Sequence, residues 1–222
     1  MMNLYCISGL GADERLFIKL KPENYHLKFI NWVKPEKNDT ISSYSDKLIS
    51  QIDLDHPFAL LGVSLGGIIA VELSTKVNPE KIFVISSVKS SKEFPFYFKL
   101  FRLFRVKYII TSKLLKSAKP LVELFFGKMN GSDKQLVFKM IDDADNDFTP
   151  WAAKAIIQWH SKDRLIPFDK IVHIMGDKDL IFRYSRIKDC HVIKGGQHIM
   201  ILNRTKEIQN IIESITLPTI NA

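Results

Sequence analysis

Six residues near the end of the chain's first third restrict its fold more than any other feature: Gly62-Val63-Ser64-Leu65-Gly66-Gly67. They follow Phe58-Ala59-Leu60-Leu61, a short continuously apolar run of strand type. They precede Ile68-Ile69-Ala70-Val71, which opens a helical pattern reaching Val77. A strand that runs directly into a helix needs a very tight turn, and the residue at its apex takes a strained backbone conformation. Side chains two positions before and after the apex would collide, so glycine is required at 62 and 66. The spacing predicts a serine held at the carboxyl edge of a sheet, beside a helix N-terminus that favours negative charge. A glycine-rich turn without chemistry is the bland alternative, and the placement between strand and helix argues against it.

The rest of the chain has a matching rhythm. Residues 3–7 read as a strand ending in Ser8-Gly9-Leu10-Gly11, and residues 26–33 as a second strand closed by Pro35. Asp39-Thr40 starts a helix with Ile41, Tyr44, Leu48, Ile49 and Ile52 at helical spacing, and residues 81–88 form a fourth strand. Apolar strands alternating with helices imply a parallel sheet covered on both faces. The alternation stops at Lys89. From about 94 to 162 the pattern is helical, basic and aromatic; strands then return at 171–175 and 190–193, with turns at Gly176 and Gly195-Gly196 and a last helix over 203–215. The expected organisation is an α/β domain with a doubly wound, mostly parallel sheet, built from residues 1–88 and 163–222, with a helical cap inserted at 89–162.

Composition narrows the classes. With 46% apolar and 25% charged residues, a 222-residue chain can bury a large core without disulfide or metal staples. Cys6 and Cys190 lie in apolar runs and read as buried free thiols. Residues 1–7 read as a buried strand rather than a signal peptide, and no apolar run of membrane-spanning length occurs, so a cytoplasmic protein is expected. The net charge of +8 is localised: between Lys89 and Lys139 twelve Lys or Arg face only Glu93, Glu123 and Asp133, which leaves +9 there. That localisation does not argue for a nucleic-acid partner. Within it, Tyr97, Phe101, Phe104 and Tyr108 recur at helical intervals between Lys99, Arg102 and Arg105. Packing of that stripe on the sheet domain is favoured over contact with anionic membranes or acidic substrates.

The motif in its strand-to-helix setting resembles the α/β-hydrolase superfamily over essentially the whole chain outside the cap. Ser8-Gly9-Leu10-Gly11-Ala12-Asp13 resembles the loop after the family's third strand, commonly His-Gly-x-Gly, so the resemblance implies that the first two strands are lacking. Ser8 departs from the pattern, standing where histidine is usual. A serine nucleophile needs a base. Of six histidines, His26, His173 and His191 lie in or beside strands, His56 at a strand's amino edge and His160 in the cap. His198 follows the last strand and a glycine pair, at the same edge as Ser64, and matches the family's catalytic histidine. The resemblance places the acid three residues after Gly176, at Asp179; Asp177 stays open as a rival whose other role would be to bond turn amides. The oxyanion hole would use the N–H of Leu65 and, by resemblance, that of Leu10.

The reaction so implied is cleavage of a carboxylic ester or thioester through an acyl-enzyme on Ser64, with a small-molecule substrate. The cap's Phe, Leu and Ile content points to an apolar acyl pocket. Lyase-type chemistry and a binding module of negligible turnover are the rivals. No cofactor is expected: residues 142–147, Asp-Asp-Ala-Asp-Asn-Asp, lack the glycine and glutamate of a calcium loop, and neither a phosphate loop nor zinc spacing occurs.

Overall fold

The structure is a computed structural model that describes residues 1–104, 111, 113, 117 and 119–215. Six strands form one sheet: β1 (Met2–Ile7), β2 (Tyr25–Phe29), β3 (Phe58–Val63), β4 (Ile82–Ile85), β5 (Ile171–Gly176) and β6 (His191–Ile193). Their order is β2-β1-β3-β4-β5-β6. Every neighbouring pair is parallel, so the sheet is all-parallel rather than mostly so. The helices are α1 (Ile41–Leu48), α2 (Leu65–Ser74), α3 (Phe96–Leu103), α4 (Val122–Phe126), α5 (Gly131–Asp143), α6 (Phe148–Gln158), α7 (Met200–Asn203) and α8 (Thr205–Ser214).

The strands are apolar throughout because both faces are covered. Along β1, Leu4 and Cys6 enter one core, and Tyr5 and Ile7 the other; along β3, Leu60 faces opposite to Ala59 and Leu61. The core holding Tyr5 and Ile7 packs under α1, α2 and α6, and the core holding Leu4 and Cys6 under α4, α5, α7 and α8. Buried side chains from the helices between β4 and β5 join both cores: Phe148 and Ala152 on one face, Val137 and Met140 on the other. Helix starts are chemically specified. Thr40 and Ser43 form a reciprocal capping box on α1, and Asn130 accepts from the Asp133 amide at the start of α5.

The connection from β1 moves outward to β2, and the one from β2 crosses back to β3 on β1's other side. This leaves a crevice between the carboxyl ends of β1 and β3, where open α/β sheets bind ligands. Ser64 follows β3 at that crevice.

Several local expectations are corrected. The second strand ends at Phe29, and the fourth ends at Ile85 because Ser86 turns to a positive φ of 46°. The last helix, expected over 203–215, is α8, and the short α7 precedes it, parted from it at Arg204. Cys190 is half-buried and precedes β6, whereas Cys6 is fully buried, and burial pushes its thiol pKa well up. The acidic run 142–147 is largely exposed: Asp142 and Asp143 close α5, and Asp145 accepts from the Asp147 and Phe148 amides ahead of α6. Of the aromatic and basic stripe, Tyr108 and Arg105 lie outside the described residues.

Candidate active site

The turn at Ser64 has the geometry that its glycines foretell, for a wider reason. Ser64 has φ 55° and ψ −117°, a strained conformation. A Cβ on Gly62 would lie 2.1 Å from the Gly66 carbonyl oxygen, within the turn itself. A Cβ on Gly66 would lie 2.0 Å from the Ile7 carbonyl oxygen, in β1. The second glycine therefore lets α2 start against the neighbouring strand as well as closing the turn.

Three loops meet at this edge. His198 Nε2 lies 3.0 Å from Ser64 Oγ, and His198 Nδ1 lies 2.9 Å from Asp179 Oδ2. A carboxylate only accepts, so Nδ1 carries the proton and Nε2 is free to accept from the serine hydroxyl. Both the imidazole and the carboxylate are buried, with side-chain exposures of 2% and 0%. The other Asp179 oxygen accepts from the Ile181 and Phe182 amides, at 2.8 and 3.0 Å, which fixes the carboxylate's plane. Phe126 meets the imidazole edge-on at 5.1 Å and Phe182 lies 5.8 Å from it, two apolar walls on the ring.

Asp177 is elsewhere. Its Oδ1 accepts from the Gly195 amide at 2.6 Å, binding turn to turn. Gly176 and Gly196 explain the close approach: a Cβ on Gly176 would lie 2.2 Å from the Gly196 carbonyl oxygen. The remaining histidines stay apart from the site. His26, His56, His160 and His191 are exposed, with His56 on Asp53 at 2.9 Å and His160 on the Gln158 carbonyl at 2.7 Å.

Leu65 opens α2, so its N–H belongs to the first turn, which lacks intrahelical acceptors. The loop carrying Leu10 packs onto the nucleophile turn: a Cβ on Gly9 would stand 3.5 Å from Ser64 Cβ. Ser8, in the histidine's usual place, closes that loop by donating to the Ala12 carbonyl at 2.8 Å, and Trp32 Nε1 donates to the same oxygen at 3.0 Å. Beyond it, Arg15 bridges Asp13 and Asp143 at 2.5 and 2.8 Å, tying the loop to α5. The Arg15 guanidinium holds the Asp13 carboxyl below its ordinary pKa.

Sequence reasoning missed a brace behind the serine. Ser87 Oγ donates to the Ser64 carbonyl at 2.6 Å, and His173 Nε2 donates to the Ser87 carbonyl at 3.0 Å. Gly67 makes room for it, since a Cβ there would lie 2.5 Å from Ser87 Cβ. The Nδ1 of His173 is buried without a partner, and burial pushes the imidazole pKa down to about 3, so it stays neutral. The doubled glycine at 66–67 was the available signal. Among the described residues, no three His, Cys, Asp or Glu gather as metal ligands.

The order of strands and the strand-turn-helix around Ser64 define the α/β-hydrolase fold, and solved structures bear this out. A carboxylesterase study of the thaumarchaeon Nitrososphaera gargenis supplies one similar structure, with TM-score 0.68, 15% identity, and 95% of this chain against 88% of that one covered. A lipase-esterase related protein from Clostridium acetobutylicum has TM-score 0.68 at 15% identity, with 96% and 94% covered. MenH from S. aureus has TM-score 0.68 at 14% identity, with 95% and 91% covered. No family model and no curated protein matches by sequence.

Proposed function

We propose that the protein is a serine hydrolase acting on a carboxylic ester or thioester, with Ser64 as nucleophile, His198 as base and Asp179 as the group that orients it. The reading rests above all on the hydrogen-bonded line from Ser64 Oγ through the imidazole to a buried carboxylate. Ser64 Oγ attacks the carbonyl carbon as its proton passes to His198 Nε2. The Leu65 and Leu10 amides stabilise the oxyanion. His198 then protonates the departing alcohol or thiol, and water deprotonated by the same nitrogen releases the acid from Ser64. The helices over residues 89–162 act as a cap, and Phe126 and Phe182 give the reacting centre apolar walls suited to an acyl chain.

Carboxylesterase and lipase-esterase related structures among the fold's neighbours support this reading, while MenH shows that other names share the fold. A non-hydrolytic enzyme on the same triad is therefore the second reading. A fluorophosphonate probe followed by mass spectrometry tests the nucleophile. One adduct on the Ser64 peptide, absent from Ser64→Ala, is expected. A folded, unlabelled wild type would end the proposal. A chromogenic ester panel of increasing acyl length then separates hydrolysis from the second reading.

A further inference from the structure

Helix α3 is apolar on two faces, and among the described residues only one of them has a partner. Its inner side docks well. Phe98 is buried, stacks on Phe94 at 4.4 Å and faces Phe182 at 6.0 Å, while the Tyr97 hydroxyl donates to the Ile181 carbonyl. The outer side carries Phe96, Leu100, Leu103 and Phe104, spaced at i, i+4, i+7 and i+8, which puts them along one stripe. They are 61, 40, 73 and 71% exposed. Leu121, Leu124 and Phe125, at the start of and within α4, are exposed too. Elsewhere large exposed apolar side chains are scattered, whereas eight of the seventeen among the described residues fall between Phe96 and Phe125.

Charge says what would cover such a surface. From Phe94 to Leu121 the sequence has seven Lys or Arg (99, 102, 105, 107, 113, 116 and 119) and no Asp or Glu. Two of the basic residues flanking that stretch are paired with acids, Lys92 with Asp163 at 2.7 Å and Lys134 with Glu123 at 2.5 Å. Within it Lys119 meets Asp142 at 2.6 Å, from outside the stretch. In sequence, this acid-free basic stretch overlaps the exposed apolar positions from Phe96 to Leu121. Apolar groups that enter the acyl boundary, set among cations that meet phosphate headgroups, match an anionic bilayer surface. Among the described residues no helix is long and apolar enough to cross a membrane.

We infer that α3, through its stripe of Phe96, Leu100, Leu103 and Phe104, docks this protein on anionic lipid surfaces, lying in the interface without spanning it. The inference does not depend on the catalytic reading.

Sedimentation with sucrose-loaded vesicles tests it. The wild type, and Ser64→Ala equally, should bind vesicles of phosphatidylcholine with 30% phosphatidylglycerol, a composition chosen for the assay, and leave pure phosphatidylcholine largely unbound. Lys99→Gln/Arg102→Gln should weaken partition roughly thirty-fold, from about fivefold per cation. Leu103→Ser/Phe104→Ser should weaken it by about tenfold or more. Both variants should keep the wild-type circular dichroism and activity on a soluble short-chain ester, which separates lost docking from lost folding. Absence of binding, or equal binding to neutral and anionic vesicles, overturns the inference. So does a solution dimer that Leu103→Ser/Phe104→Ser dissociates, which would give the face to a second copy of the chain.

Discussion

Two pairs of glycines hold the two halves of the site, over very different chain separations. Gly62 and Gly66 meet inside one turn, four residues apart, with the Cβ position of the first 2.1 Å from the carbonyl of the second. Gly176 and Gly196 meet at 2.2 Å by the same measure, but they belong to loops after two neighbouring strands and lie twenty residues apart. The first pair shapes the turn that carries Ser64. The second brings the carboxylate's loop against the imidazole's. A close approach within a turn leaves a short motif in the sequence; the same approach between loops leaves isolated glycines whose partnership only the sheet register reveals.

The largest test of that contrast compares the two aspartates beside the second lock. Asp179→Asn should lower kcat on a chromogenic ester about 10⁴-fold, because the amide no longer enforces the tautomer that leaves Nε2 free. Asp177→Asn keeps an oxygen that accepts from the Gly195 amide and should stay within about tenfold of wild type. Equal losses would mean that the orienting acid has been misassigned.

Smaller in free energy is the lock itself. Gly176→Ala drives a Cβ into backbone and should cost about 3 kcal/mol in urea unfolding. Gly196→Ala, whose nearest atoms are 2.9 to 3.1 Å away and include the mobile Met200 sulfur, should cost about 1 kcal/mol. A reversed order would break the comparison.

The smallest effect concerns the brace behind the first lock. His173 stays neutral in the fold, with its pKa held near 3 by burial, while the unfolded chain's imidazole titrates near the ordinary 6.5. As pH falls below 6.5 the unfolded state binds a proton that the native state refuses, so stability drops on acidification. At pH 5 that loss is about 2 kcal/mol relative to neutral pH. His173→Gln, which keeps a donor for the Ser87 carbonyl, should flatten this part of the urea-midpoint profile between pH 7.5 and 5. An unchanged slope would remove His173 as its source.

The strands were legible because two covered faces demand uninterrupted apolar runs, and the nucleophile turn because its glycines are local. His198 was reachable by elimination, since it alone of six histidines follows a strand at the right edge. Its acid needed the resemblance, because Asp177 and Asp179 both end the same strand and differ only in which way the turn aims them. Ser87 was foreshadowed only by the second glycine of the 66–67 pair, which does not name its partner. Its role arises where the end of β4 packs beside the first turn of α2, a contact between segments that no spacing rule records. The early end of β4 was hidden similarly, in a backbone reversal at a serine rather than a glycine.

The end of α4 is fastened to the base's own loop. The Phe126 carbonyl accepts from the Ile199 amide at 2.9 Å, and the Gln197 side chain accepts from the Lys128 amide at 2.9 Å. These residues bracket His198. A door hinged there would drag its own latch, because lifting α4 pulls on both sides of the imidazole. Any opening on this side would therefore disturb the imidazole along with the helix.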